Sequence, residues 1–267
     1  MQLQHLEWHR VIAQLVLGLD RPNFWQSLTS ALEDYAHFDS YLITRFPGNG
    51  APAVIAANMI SESDSELRLK NYVDSLFLLD PFYLYFKEHR RSGFFRLDEV
   101  APDAFKSTDY YKRYFKLNVV ADEVQFLYNQ GHDGMISVAL GSKRRFKPTE
   151  VAQLAVIAPW ITALMHQRMH FELAPGARHD SQRSSAPLRL KFDEIMLQKM
   201  TAKLTAREME ISHLILAGFS AKSISSKLSI SPETVKVHKK HLYAKLGVES
   251  QSELFSMFLQ EKWTPKP

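Results

Sequence analysis

The chain has 267 residues, 45% of them apolar and 23% charged, which suits one or two globular domains with buried cores. The lack of cysteine excludes disulfides, thiolate metal sites and cysteine nucleophiles. The net charge of +4 is unevenly spread: 13 Lys and Arg face 8 Asp and Glu from Arg189 onward, against 20 and 21 before it, so an anionic partner is expected at the C-terminal end only.

The opening "MQLQHLEWHR" has no basic segment leading into an apolar one, so it does not read as a secretory signal. No run approaches the roughly 18 to 20 apolar residues of a membrane span, and a cytoplasmic protein with no membrane partner is expected. Residues 3–18 and 23–37 carry helical periodicity. "SYLITRF" (40–46) and "AVIAANMI" (53–60) read as strands around the turn-forming "PGNGAP". Residues 62–78 read as a helix with Ser63 as its cap, and "DPFYLYFKEHR" as a second, shorter one. "DEVQFLYNQ" and "MISVALGS" flank "GHDG" and predict a hairpin. Val124, Phe126 and Tyr128 alternate with Gln125 and Leu127, the pattern of a half-buried strand. A long helix follows over 148–172, with Thr149 near its start and a kink expected at Pro159. Together these elements predict an α/β sandwich over residues 1–173. "ELAPGARHDSQRSSAPLR" has Pro, Gly, Ser and Arg without apolar periodicity, and a linker is expected over 174–203.

Residues 204–262 carry helix punctuation throughout. Thr205 and Glu208 form a capping box, and Gly218 is placed to end that helix. Ser220 caps a second helix. Ser231 caps a third, with Pro232 at its first position and Glu233 in its first turn. Gly247 ends it, and Ser250 with Glu253 forms a further box opening a fourth. Four short helices with tight turns predict an all-α domain in which the second and third form a helix-turn-helix. On a helical wheel with Lys236 at zero, Lys240 falls near 40° and Val237 near 100°, whereas Val235, Leu242, Leu246 and His238 fall between roughly −80° and −160°. One face is apolar and suited to the bundle. The other, with two lysines and little bulk, is suited to a major groove. Lys236 and Lys240 are the candidates for guanine edges and Val237 for a thymine methyl. Ser231, Thr234, Lys239 and Lys245 are the candidates for phosphates.

This stretch resembles the C-terminal DNA-binding domain of the LuxR (FixJ/NarL-type) transcription factors. The shared residues include Leu204, Thr205, Arg207, Glu208, Leu214, Gly218, Ser220, Lys222, Ile224, Leu228, Ile230, Ser231, Thr234, Val235, Lys236, His238, Lys245, Leu246, Gly247 and Val248. The resemblance implies that the third helix reads the major groove through Lys236, Val237 and Lys240, and that the fourth helix contributes to a dimer. The family's frequent S-N-K-E-I is Ser220, Ala221, Lys222, Ser223, Ile224 here, and Gln251 stands where arginine is common.

The order of helices and strands before the linker resembles the autoinducer-binding domains of quorum-sensing LuxR proteins, related in shape to GAF and PAS modules. The resemblance implies a small-molecule effector, with Asp80 accepting a hydrogen bond from the ligand and Tyr72 beside it. Tyr72 is one residue nearer to Asp80 than the family spacing, and the family's preceding Trp is missing. Asp80-Pro81 also reads as a plain helix start. Tyr41, Tyr110, Tyr111, Tyr114 and Phe126 are candidates either for a pocket lining or for ordinary core. No alternation typical of a phosphoacceptor receiver is present, nor a G-x-G-x-x-G, Walker, G-x-S-x-G or H-E-x-x-H motif, so no enzyme activity or cofactor is expected. His238 and His241 lack partner ligands, and no metal site is expected. The partners expected are double-stranded DNA, a small molecule, a second copy of the chain and RNA polymerase.

Overall fold

Alternating side chains place Ile43, Val124, Phe126, Ile136, Val138 and Leu140 on one side of an antiparallel sheet, and all six are buried. The computed structural model describes residues 6–48, 50–59, 65–119, 121–172 and 204–259. The chain forms two compact units. The first comprises Met1–Ser65, Glu88–Glu99 and Asn118–Ser185, the second Glu66–Lys87, Val100–Leu117 and Ala186–Pro267. The linker expected at 174–203 and the cap expected at Ser63 lie outside the described residues.

In the first unit, α1 (Leu6–Leu17) and α2 (Phe24–Glu33) precede β1 (Ser40–Phe46) and β2 (Ala53–Asn58). The helices α3 (Ser65–Asp74) and α4 (Pro81–His89), which fall largely in the second unit, intervene in the chain before β3 (Gly93–Arg96), β4 (Asp122–Asn129), β5 (Met135–Ser142) and α5 (Pro148–Glu172) of the first. The five strands run in the order β2-β1-β5-β4-β3, with every neighbouring pair antiparallel. The strand β3 was not anticipated: four residues are too few to show alternation. Gly134, at φ 101°, closes the β4–β5 hairpin where a β-carbon would lie 1.9 Å from the Phe46 carbonyl oxygen, so no other residue fits.

The sheet's core face packs against Phe24, Leu28 and Leu32 of α2 and Leu154, Ile157, Ile161 and Met165 of α5. Each such side chain contributes about 1.5 to 3 kcal/mol on burial. A buried ion pair fastens the end of α5. Arg168 and Glu172 approach to 2.8 Å, Arg168 donates to the carbonyls of Leu19 and Arg21, and Trp25 donates to Glu172. All three Arg168 side-chain nitrogens are engaged there, and pairing of that kind is the condition for tolerating a buried charge.

Two expectations need correction. The strand β4 is buried on both faces, not one: Glu123, Gln125 and Leu127 are as inaccessible as Val124 and Phe126. Its second face is polar and internally bonded. Ser137 Oγ donates to Gln125 Oε1 at 2.5 Å, and Gln125 Nε2 donates to Glu123 Oε1 at 2.7 Å. The second correction concerns α5, which is long and apolar enough by composition to cross a bilayer, although no such run was expected. Leu154, Ile157, Ile161, Leu164 and Met165 are packed in the core, which is how a core helix passes that test. It runs unbroken through Pro159.

In the second unit, the helix expected over 62–78 breaks at Ser75, and Leu76–Leu79 form a fully buried 3-10 turn. A π-helical turn spans Tyr111–Phe115. These elements pack with α6 (Ala206–Ala217), α7 (Ala221–Leu228), α8 (Pro232–Leu246) and α9 (Gln251–Leu259).

Candidate nucleic-acid interface and effector cluster

Local hydrogen bonds set the ends of α6 to α9. Thr205 Oγ1 accepts from the Glu208 amide at 3.2 Å while Glu208 accepts from the Thr205 amide at 2.8 Å, closing the predicted box. Ser220 accepts from the Ser223 amide and Ser231 from the Thr234 amide, with Pro232 at the first helical position. Gly218 and Gly247 take the left-handed conformation that ends α6 and α8. At α9, Ser250 accepts from the Glu253 amide as expected, but Glu253 reaches past the cap to the amide of Glu249. Arg207 donates to the last carbonyl of α7, and Gln251 donates to the Ile215 carbonyl near the end of α6. Gln251, in the place of the family's arginine, thus adds a second donor to a carbonyl that already accepts from the Gly218 amide, tying the start of α9 to the end of α6.

These caps orient α8. Val235, Leu242 and Leu246 are buried among the bundle, whose centre includes Ile211, Ile224, Leu254, Phe255 and Phe258. Lys236, Val237, Lys239 and Lys240 are exposed, with Val237 51% accessible. Ser231 and Thr234 sit at the same end of the helix, their hydroxyls 3.0 Å apart. Lys239 lies 5.2 Å from the Tyr243 ring centre. Lys245 is engaged otherwise: its ammonium donates to Glu208 at 2.7 Å, tying α8 to the capping box of α6. Burial opposes ionisation of Glu208, but Lys245 and Thr205 outweigh it and hold the carboxyl down at about 2.

The sequence-derived effector residues divide. Asp80, Tyr72, Tyr110 and Tyr114 come together. Tyr72 OH donates to Asp80 Oδ2 at 2.9 Å, and the amides of Phe82 and Tyr83 donate to Asp80 Oδ1 at 2.8 and 3.3 Å. The Tyr110 hydroxyl also bonds to Asp80. Tyr114 stacks on Tyr72 with centroids 5.8 Å apart, and on Tyr110 at 5.5 Å. Burial raises the Asp80 pKa above the usual carboxylate value, with the bonds from Tyr72, Tyr83, Phe82 and Tyr110 opposing it. Burial, and then the Asp80 charge, push Tyr72 well up. The remaining candidates serve packing. Tyr111 stacks on Phe115 and meets Phe105 edge-on. Phe126 is fully buried in the core of the first unit, and Tyr41 packs against the same core. Their spacing could not separate pocket from core, because both demand an inward aromatic.

Residues 202–258 match the family model for bacterial regulatory proteins, luxR family. An Aeromonas salmonicida protein that carries the name HTH-type transcriptional regulator in the exeN 3′ region is 34% identical over 110 residues, covering 41% of this chain and 56% of that one. The oxygen regulatory protein NreC of Staphylococcus aureus is 44% identical over 59 residues, covering 22% of this chain and 27% of NreC. This chain thus spans about half or less of the length of these relatives. The solved VqsR LBD domain from Pseudomonas aeruginosa is 33% identical, covers 63% of this chain and 99% of that one, and superposes with a TM-score of 0.56. With a helix-turn-helix module at one end and an LBD-like fold at the other, the chain belongs to the luxR family of bacterial regulatory proteins.

Proposed function

We propose that the protein is a ligand-responsive transcriptional regulator that binds duplex DNA as a homodimer and reads a two-fold operator with one α8 per half-site. The observation that carries this reading is the division of α8 into a buried apolar side and an exposed side bearing Lys236, Val237 and Lys240. A helix of that kind enters the roughly 12 Å major groove, where lysine recognises guanine O6 and N7. Ser231, Thr234 and Lys239 take phosphates, and Lys245 joins them at the expense of its bond to Glu208. Genomic footprinting of the wild type beside Lys236→Ala and Lys240→Ala tests the assignment. Each variant is expected to relax one operator position, and site preferences unchanged in both would reject this reading face.

One module of this size buries modest area on DNA, so two copies are needed for tight binding. The outer side of α5 supports the dimer. Ala152, Ala155, Val156, Pro159, Trp160 and Ala163 are all exposed and apolar, with Val156 and Trp160 at 55% and 51% accessibility. A helix apolar on both sides seeks a second partner. Trp160→Glu is expected to sediment as a monomer; an unchanged dimer would move the interface elsewhere.

The effector reading rests on the Asp80 cluster and on likeness to a domain named as an LBD. A ligand-independent regulator is the second reading, favoured by the Asp80 carboxylate already accepting from two tyrosines and two amides. A thermal-shift series with acylated lactones and other small metabolites separates them: no shift with any compound favours the second. Cytoplasmic action on the nucleoid and contact with RNA polymerase belong to both readings, and neither assigns catalysis.

A further inference from the structure

The stretch 102–113 lies within the second unit and grips the helix-turn-helix at three places. The Ala104 amide donates to the Gly218 carbonyl at 2.9 Å. The approach is close enough that a β-carbon on Gly218 would lie 2.7 Å from Phe105 Cα and 2.8 Å from the Thr108 methyl. Asp103 Oδ1 accepts from the Ser220 amide at 2.9 Å, at the first turn of α7. The hydroxyls of Ser220 and Ser223 converge on the same carboxylate. Further along, Asp109 accepts from Ser252 at 2.7 Å, Arg113 donates to Ser256 at 3.4 Å, and the Arg113 guanidinium lies 5.6 Å from the Phe255 ring centre, so α9 is held as well. A carboxylate over α7 has a specific consequence, because the first helix of a helix-turn-helix crosses the DNA backbone. Its amino end is where a phosphate is drawn by free amides and the helix dipole.

We infer that residues 102–113 are an autoinhibitory clamp: Asp103 sits on the Ser220 amide and on the Ser220 and Ser223 hydroxyls at the amino end of α7, groups that a DNA phosphate would use, so DNA and the clamp compete for the same edge of the motif. The geometry links the clamp to the buried cluster. Tyr110 and Tyr114 hold Asp80 and Tyr72, and their chain neighbours Asp109 and Arg113 hold α9. His213 of α6 also bonds the Leu78 carbonyl, two residues before Asp80. A rearrangement around Asp80 therefore moves the groups that grip the bundle.

The inference rests on the DNA-binding reading, and the test separates the two. Full-length protein is titrated onto a random-sequence 30-base-pair duplex by fluorescence anisotropy at several salt concentrations, since the operator is unidentified. Asp103→Asn is expected to tighten binding about three- to tenfold and to steepen the salt dependence by roughly one counterion. Asp103→Ala and Asp109→Asn, which loosen the grip at different points, are expected to act in the same direction. If all three bind as the wild type does while Lys236→Ala with Lys240→Ala still weakens binding, the clamp is refuted and the DNA reading stands. If the lysine pair changes nothing, the DNA reading fails and the clamp falls with it.

Discussion

The α8 surface and the Asp80 cluster handle charge in opposite ways. Lys236 and Lys240 stand in solvent and, among the described residues, have no ion-pair partner. Asp80 is 6% exposed and accepts from two hydroxyls and two amides. Exposed charge costs little to leave unpaired, so a surface can hold lysines ready for an outside anion. Buried charge is tolerated only when its surroundings are complete. Substituting α8 should therefore change recognition without stability, and substituting the cluster should change stability first.

The largest expected effect tests that contrast directly. Asp80→Ala strands the hydroxyls of Tyr72 and Tyr110 and removes the α4 cap, and should cost about 3 kcal/mol in urea unfolding. A loss under about 1 kcal/mol would mean that the cluster is not the buried network described. Lys236→Ala and Lys240→Ala should each lose roughly 1 to 3 kcal/mol of base discrimination while unfolding as the wild type does. A matching loss of stability would erase the distinction between the two regions. The smallest effect appears only in acid. Glu208 ionises at about 2 in the folded chain, below its ordinary 4.5, so its bonds to Lys245 and Thr205 contribute stability that is full above about 4.5. That contribution is lost as pH falls from about 4.5 toward 2, and Glu208→Gln should flatten this part of the stability profile. An identical profile in the variant would remove Glu208 from the account.

The DNA-binding bundle was legible because its signals are short-range. Thr205 with Glu208, Ser231 with Thr234, and Gly218 and Gly247 act within four residues of where they stand, and the wheel alone separated Lys236 and Lys240 from Val235 and Leu242. The strands Ser40–Phe46, Asp122–Asn129 and Met135–Ser142 were legible as short apolar runs bounded by the turn residues of "PGNGAP" and "GHDG". Asp80 and Tyr72 were found as a pair, eight residues apart. Tyr41 and Phe126, open between pocket and core from their spacing, belong to the core of the first unit, because an inward aromatic carries no mark of which interior it faces.

Local propensity by itself determined where the helices of the C-terminal bundle start and stop and which side of α8 carries charge, since a cap or a wheel needs only neighbours in the chain. The folded arrangement alone decided that 66–87 and 100–117 pack with that bundle, that β4 is covered on both faces, and that Asp103 reaches Ser220 across 117 residues. Such contacts join segments distant in sequence, and neither periodicity nor capping encodes a partner so far away.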